Sequence, residues 1–274
     1  MKRPMLAALL ALSTLAVAVA ASGCRARLDS FLYAPVKTDA YELHTALAYE
    51  EHTVSSTDGV TIYWMFVAGA QPDYTLIYCH GQGGHLADSW PRLELLAPLG
   101  WNLVIWDYRG FGRSTGSASE PGIVADESAV WSAVTAHAGV DPRKLVYYGR
   151  SFGGAPCIDL ATHHPPAALV EESTFSSVDA LVHDGAYADL PRSYVADARW
   201  DSLAKVATLG AVPFLALHGT ADDYVQPKYA TELTSAHPGR TQLVFVSGAD
   251  HGNVPDTLGF DVYRATIDAF VRAP

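Results

Sequence analysis

The stretch Gly149-Arg150-Ser151-Phe152-Gly153 follows the apolar run Leu145-Val146-Tyr147-Tyr148 and precedes an apolar segment through Ala155, Ile158 and Leu160. The first run reads as a buried strand and the second as a helix, so Ser151 falls on the turn between them. Glycines on both sides let the backbone bend sharply and let neighbouring elements approach, which pushes the hydroxyl out at the top of a sheet. A serine hydroxyl there can attack an acyl carbonyl once a base takes its proton. His251 is the candidate base, in Ser247-Gly248-Ala249-Asp250-His251-Gly252-Asn253, where glycines again frame the functional side chain. Asp222 and Asp223, after His218-Gly219-Thr220-Ala221, are the candidate acids. A carboxylate at that point can accept the Nδ1 proton of histidine and stabilise the imidazolium formed during attack. Negative charge on the attacked carbonyl needs two backbone N–H donors. One is expected from Phe152, directly after the serine, and the other from the loop after the strand ending at Cys79.

These residues must be held by an alternating framework. Strand-like runs at Glu51 to Ser55 and Thr61 to Val67 flank the turn signal Thr57-Asp58-Gly59 and predict an opening hairpin. Further strands are expected at Thr75 to Cys79, Leu103 to Trp106, Leu145 to Tyr148, Ala168 to Val170, Val212 to Leu217 and Leu243 to Val246. Between them lie helix-length segments centred on Leu93 to Leu99, Pro121 to Ala138, Phe152 to His163, Pro227 to His237 and Thr257 to Val271. Such alternation predicts an α/β fold, a mainly parallel sheet with helices on both faces and ligands beyond the carboxyl ends of the strands. Arg25 to Val36, with Leu28, Phe31 and Leu32, reads as a lead-in helix within an N-terminal segment 24–48.

Four motifs together carry a resemblance to the alpha/beta hydrolase superfamily over Tyr49 to Arg272, nearest to its compact ABHD-type and serine aminopeptidase-like members. They are His80-Gly81-Gln82-Gly83-Gly84, Asp107 to Ser114, Gly149 to Gly153, and His218-Gly219-Thr220-Ala221-Asp222. The resemblance implies one hydrolase domain over 49–274 with a short cap at 173–210. Its His-Gly-x-x-Asp spacing selects Asp222 over Asp223 as the acid, and its His-Gly loop makes Gln82 the second oxyanion donor. Asp107 and Arg109 take a structural role beside the site. The chain departs from the family at Gln226, which separates Val225 from Pro227. In the cap, Phe175, Tyr187, Leu190, Pro191, Tyr194 and Trp200 are candidates for an apolar roof or for packing onto the body. The expected activity is hydrolysis of carboxylic esters or thioesters through an acyl-enzyme, with aminopeptidase or amidase action and non-catalytic ligand binding as alternatives.

The start of the chain carries a different message. Lys2 and Arg3 precede an uncharged apolar stretch from Met5 to Ala21, and Ala21-Ser22-Gly23-Cys24 closes it. Residues 1–23 read as a secretion signal. The closing residues resemble a bacterial lipobox, which implies acylation of Cys24 and a lipid anchor in the cell envelope, with Arg25 pointing to the outer membrane. Removing the signal takes two of 18 basic residues and none of 29 acidic ones, so 16 face 29 and the remaining charge is −13. That balance argues against nucleic acid as a partner and leaves a small acyl or peptide-like substrate. Histidine and cysteine spacing suggests no metal, and no phosphate-binding glycine loop suggests a nucleotide cofactor. Cys79 and Cys157 sit in apolar runs and are expected as buried free thiols.

Overall fold

The computed structural model describes residues 32–183 and 198–274. The expected signal at 1–23, Cys24, and the residues Tyr187, Leu190, Pro191 and Tyr194 of the expected cap lie outside the described residues, as does most of the expected lead-in helix. Its described end corrects the expectation. Leu32 is still helical, but Ala34–Pro35 is a short strand, β1, because Pro35 brings no N–H to continue a helix.

Eight strands form the main sheet: β2 (Glu50–Ser55), β3 (Thr61–Val67), β4 (Thr75–Cys79), β6 (Asn102–Trp106), β7 (Leu145–Arg150), β8 (Ala168–Glu172), β9 (Phe214–Gly219) and β10 (Thr241–Val246). Their spatial order is β10-β9-β8-β7-β4-β6-β3-β2. The run from β6 to β10 is parallel; β3 is antiparallel to β6, and β2 is antiparallel to β3, forming the expected hairpin. A fifth segment, β5 (Gly83–Gly84), pairs with β1 in a separate two-stranded ribbon. Through that ribbon Ala34 N–H donates to the Gln82 carbonyl at 3.0 Å and Val36 N–H to the Gly84 carbonyl at 3.0 Å. The N-terminal segment therefore tethers the loop that carries Gln82.

Helices cover both faces, and the strand sequences record it. In β3, Ile62, Trp64 and Phe66 enter one core while Tyr63, Met65 and Val67 enter the other, so the strand is apolar throughout rather than alternating. The helices are α1 (Trp90–Leu96), α2 (Glu120–Ala136), α3 (Gly154–His163), α4 (Val178–His183), α5 (Ser202–Val206), α6 (Lys228–Ala236), α7 (Val254–Leu258) and α8 (Phe260–Arg272). Ser119 caps α2 by accepting from Gly122 N–H, with proline in the first turn. Two expected helices are divided. Pro98 turns the last residues of the first into a 3₁₀ turn over Ala97–Leu99, and Gly259, at φ 88°, separates α7 from α8 where one helix was expected. The strand expected from Val212 begins at Phe214 instead, after Pro213. Within 173–210 the described parts hold α4 and α5, and Phe175 and Trp200 are buried against the body. Cys79 and Cys157 are free and buried. Among the described residues no helix is long and apolar enough to cross a membrane.

Candidate active site

Strand β7 delivers Ser151 to the carboxyl edge of the sheet, where its φ of 54° places a non-glycine residue in the left-handed region. Such a conformation costs on the order of 1–3 kcal/mol and persists because the surroundings enforce it. The flanking glycines act by close approach, since neither has a positive φ. A Cβ on Gly153 would run into the Cys79 backbone, and one on Gly149 would lie 2.5 Å from both Gly154 Cα and Glu171 Oε2. Thr174 Oγ1 donates to the Ser151 carbonyl at 2.8 Å and fixes the turn from the side.

The two loops beyond β9 and β10 bring the other partners to the serine. His251 Nε2 lies 2.9 Å from Ser151 Oγ, and its Nδ1 lies 2.8 Å from Asp222 Oδ2. Asp223 is exposed and stands apart from this chain of contacts. The other Asp222 oxygen accepts from the N–H groups of Tyr224 at 3.0 Å and Val225 at 2.8 Å, so the carboxylate shapes its own turn while facing the histidine. Burial alone would raise Asp222, but hydrogen bonds from His218 and His251, the charge of His251 and the Val225 amide outweigh it and hold the group well below the carboxylate range. His218 Nε2 lies 3.3 Å from Asp222 Oδ2 and 2.8 Å from the Val225 carbonyl, so this histidine braces the acid. Asp250 ties the base loop together by accepting from Gly252 N–H at 2.8 Å and Asn253 N–H at 3.0 Å.

The expected oxyanion donors sit on the two loops that meet at the serine. Phe152 occupies the first turn of the 3₁₀ segment Ser151–Gly153, where N–H groups have no partner inside the helix. The Gln82 loop passes beside it: a Cβ on Gly81 would lie 4.0 Å from Ser151 Cβ. Gln82 also makes a contact beyond its expected backbone role. Its Oε1 accepts from Tyr224 OH at 3.0 Å, and the Tyr224 ring packs on His251 at 4.9 Å. The Phe152 ring is met edge-on by Tyr33, Tyr108 and Trp200, with centroids 5.5, 5.5 and 5.6 Å away. Asp107 and Arg109 are buried framework groups, as expected. Asp107 Oδ1 accepts from Leu86 N–H at 2.7 Å, and Arg109 Nη2 reaches Asp126 Oδ1 at 2.7 Å.

One cluster was not anticipated from the sequence. Glu172, buried at the end of β8, faces Arg92 Nη1 at 3.4 Å and Arg150 Nε at 3.5 Å through Oε1. Its Oε2 accepts from Tyr148 OH at 2.6 Å and Tyr263 OH at 2.7 Å. Both arginines then donate to the base loop, Arg150 to the His251 carbonyl at 3.1 Å and Arg92 to the Gly252 carbonyl at 2.7 Å. Burial by itself would raise the Glu172 carboxyl, yet Arg92, Arg150 and the two tyrosine hydroxyls hold it below its ordinary value. The signal was present in the letters: two carboxylates, Glu171 and Glu172, close an otherwise apolar strand.

Comparison with known proteins adds relatives to this geometry. A family model described as "Serine aminopeptidase, S33" matches residues 70–193. The uncharacterised protein Rv2307c of Mycobacterium tuberculosis (strain H37Rv) is 33% identical over 227 residues, 80% of this chain and 76% of that one. The uncharacterised protein YfhR of Escherichia coli (strain K12) is 28% identical over 201 residues, 72% of this chain and 69% of that one. Among solved structures, the Pyrococcus furiosus esterase Pf2001 superposes with a TM-score of 0.73 at 17% identity, covering 88% of this chain and 97% of its own. The esterase domain of a Rhodothermus marinus protein gives 0.61 at 19% identity, covering 82% and 100%. At those identities the structural likeness speaks for the fold alone. The parallel sheet with its covering helices, the matched family model and the relative that is 33% identical over 80% of this chain together show that the chain belongs to the alpha/beta hydrolase superfamily.

Proposed function

We propose that this hydrolase cleaves carboxylic esters or thioesters through a covalent acyl-enzyme. The observation that carries the reading is the continuous path from Asp222 Oδ2 to His251 Nδ1, at 2.8 Å, and from His251 Nε2 to Ser151 Oγ, at 2.9 Å. In this account Ser151 attacks the acyl carbonyl while His251 takes its proton, and Asp222 holds the imidazole in the useful tautomer and balances its charge. The N–H groups of Phe152 and Gln82 hold the oxyanion. His251 then returns the proton to the leaving alcohol or thiol, and water, deprotonated by the same histidine, releases the acyl group. Aminopeptidase action is the second reading, favoured by the description of the family model that matches residues 70–193. We further propose that residues 1–23 direct export and that acylated Cys24 anchors the enzyme in the cell envelope. The uncharged run ending at Ala21-Ser22-Gly23-Cys24 supports this.

A matched series of acyl p-nitrophenyl esters, acyl thioesters and aminoacyl p-nitroanilides separates the two activities. The ester reading expects kcat/KM for the best ester or thioester to exceed that for the best anilide by at least about a hundredfold, a transition-state difference near 3 kcal/mol. The reverse order would establish the peptidase reading instead. Metabolic labelling with an alkyne fatty acid tests the anchor: Cys24→Ala should abolish incorporation, and equal labelling of that variant would remove the lipoprotein reading.

A further inference from the structure

Outside the catalytic site, two clusters bring histidine and carboxylate ligand atoms within 4.8 Å of one another among the described residues. In the first, Glu127, Asp159 and His163, the cation is already supplied by the protein, because Lys205 Nζ contacts Asp159. Among the described residues the second has no lysine or arginine in an ion pair with it. Glu50 and His52, on the same face of the edge strand β2, meet His137, which caps the end of α2. His52 Nε2 lies 3.1 Å and His137 Nε2 3.2 Å from one oxygen, Glu50 Oε2.

The proton positions make this arrangement informative. His137 Nδ1 lies 2.9 Å from the Ala138 carbonyl, which can only accept, so Nδ1 carries the hydrogen. In a neutral ring Nε2 is then a lone pair, and it faces a carboxylate oxygen, which is another acceptor. Two acceptors at this distance repel unless a cation lies between them, either a second proton on the ring or a metal ion. A backbone carbonyl that fixes the Nδ1–H tautomer is the usual support of a ligating histidine. Both rings are also held in place: His52 stacks on Trp64 with centroids 4.3 Å apart, and His137 packs on Phe66 at 4.1 Å. An ion bound tetrahedrally at about 2.0–2.1 Å from nitrogen and oxygen spaces its ligands by roughly 3.3 Å, close to the 3.1 and 3.2 Å that separate Glu50 Oε2 from the two histidine nitrogens.

We propose that Glu50, His52 and His137 form a binding site for one divalent transition-metal ion of the zinc class, with a water completing the tetrahedron. Glu50 pairs with Phe66, near the end of β3 that adjoins the start of β6, so the site lies at the end of the sheet opposite Ser151. Bound there, the ion cross-links the outer strand to the end of α2, and its role is stability rather than chemistry on the substrate. Spacing along the chain conceals the site, because Glu50 and His137 are 87 residues apart.

The test uses the full chain carrying no histidine tag, stripped with chelator, and Zn²⁺ or Co²⁺ alone as the probe. The parent should take up one equivalent of Zn²⁺ by calorimetry and show tetrahedral Co²⁺ ligand-field bands that Zn²⁺ displaces. Thermal unfolding should shift upward by about 5–10 °C at a hundredfold excess over Kd. His52→Ala and His137→Ala should each weaken binding at least tenfold and lose the shift, while Glu50→Gln, which keeps the shape of the side chain, guards against loss of fold. His251→Ala should bind like the parent, which separates this site from the triad. Absence of saturable binding to the folded parent, or equal binding by the His52→Ala, His137→Ala double variant, would overturn the proposal and leave the extra proton as the cation of the cluster.

Discussion

Replacing Glu172 with glutamine removes one charge and almost no volume, and it should damage both stability and turnover. Glu172 Oε1 stands 3.4 Å from Arg92 and 3.5 Å from Arg150. Each pair has a gross attraction of roughly 5 kcal/mol at an effective dielectric constant of about 20. Removing one partner of such a buried cluster typically costs about 3–5 kcal/mol, because the remaining charges are left uncompensated. Arg150 keeps 22% of its side chain exposed, so water takes over part of its stabilisation and the lower end applies. A loss of about 3 kcal/mol lowers Tm by about 6–12 °C in a domain of this size. The same arginines hold the carbonyls of His251 and Gly252, and a shift of about 1 Å in a catalytic group can cost a hundredfold in rate. We therefore expect kcat to fall by about 10- to 100-fold with KM nearly unchanged, measured on a p-nitrophenyl ester beside a thermal melt. The deficit should also narrow in acid. Arginine holds the folded carboxyl below its ordinary value, so its stabilisation is present above the unfolded pKa of about 4.3 and is lost as pH falls through the folded value. A Glu172→Gln protein that melts within about 1 °C of the parent and keeps its kcat would show that the arginines hold the base loop without the carboxylate.

Other positions carry separate expectations. Asp222→Asn should leave the fold intact and lower kcat about 10⁴-fold, because the amide favours the wrong tautomer of His251; a loss under tenfold on the best ester would remove Asp222 from the machinery. Gly153→Ala forces a methyl into the Cys79 backbone and should destabilise by about 1–3 kcal/mol or more in urea unfolding, whereas Gly83, which has no positive φ and whose added methyl would lie 4.0 Å from its nearest neighbour, the Ala34 carbonyl, provides the control. Glu171 is buried with both carboxyl oxygens lacking hydrogen-bond partners among the described residues, and burial, then Cys79, pushes it well above its ordinary value. The stabilisation tied to its proton is full below about pH 4.3 and declines as pH rises toward the folded pKa. As pH rises above about 5 the parent should thus lose stability relative to Glu171→Gln, by at most about 1.4 kcal/mol per pH unit, and parallel urea curves for the two proteins would contradict a neutral Glu171.

The sequence carried the framework well wherever local chemistry decides it. Apolar strand runs, glycines at the serine turn and the order of Ser151, Asp222 and His251 depend on short windows, and those residues converge in space. Failures came where one residue redirects the backbone: Pro35 converts a helix end into β1, Pro98 shortens α1, and Gly259 divides the last helix. Contacts between distant segments were the other gap. The Glu172 clamp joins β8, α1, β7 and the His251 loop, and the Glu50–His52–His137 cluster joins β2 to α2, so neither has a spacing to read. The serine turn is legible as a motif, but the support around it is a property of the folded chain.

The central claim is that His251 activates Ser151. Labelling of the full chain with a fluorophosphonate probe tests it most directly, because the probe reacts with an activated serine and needs no knowledge of the substrate. The account predicts stoichiometric labelling of the parent on Ser151, none for Ser151→Ala, and a rate reduced by orders of magnitude for His251→Ala. A folded parent that does not label, or a His251→Ala variant that labels at the parental rate, would contradict it.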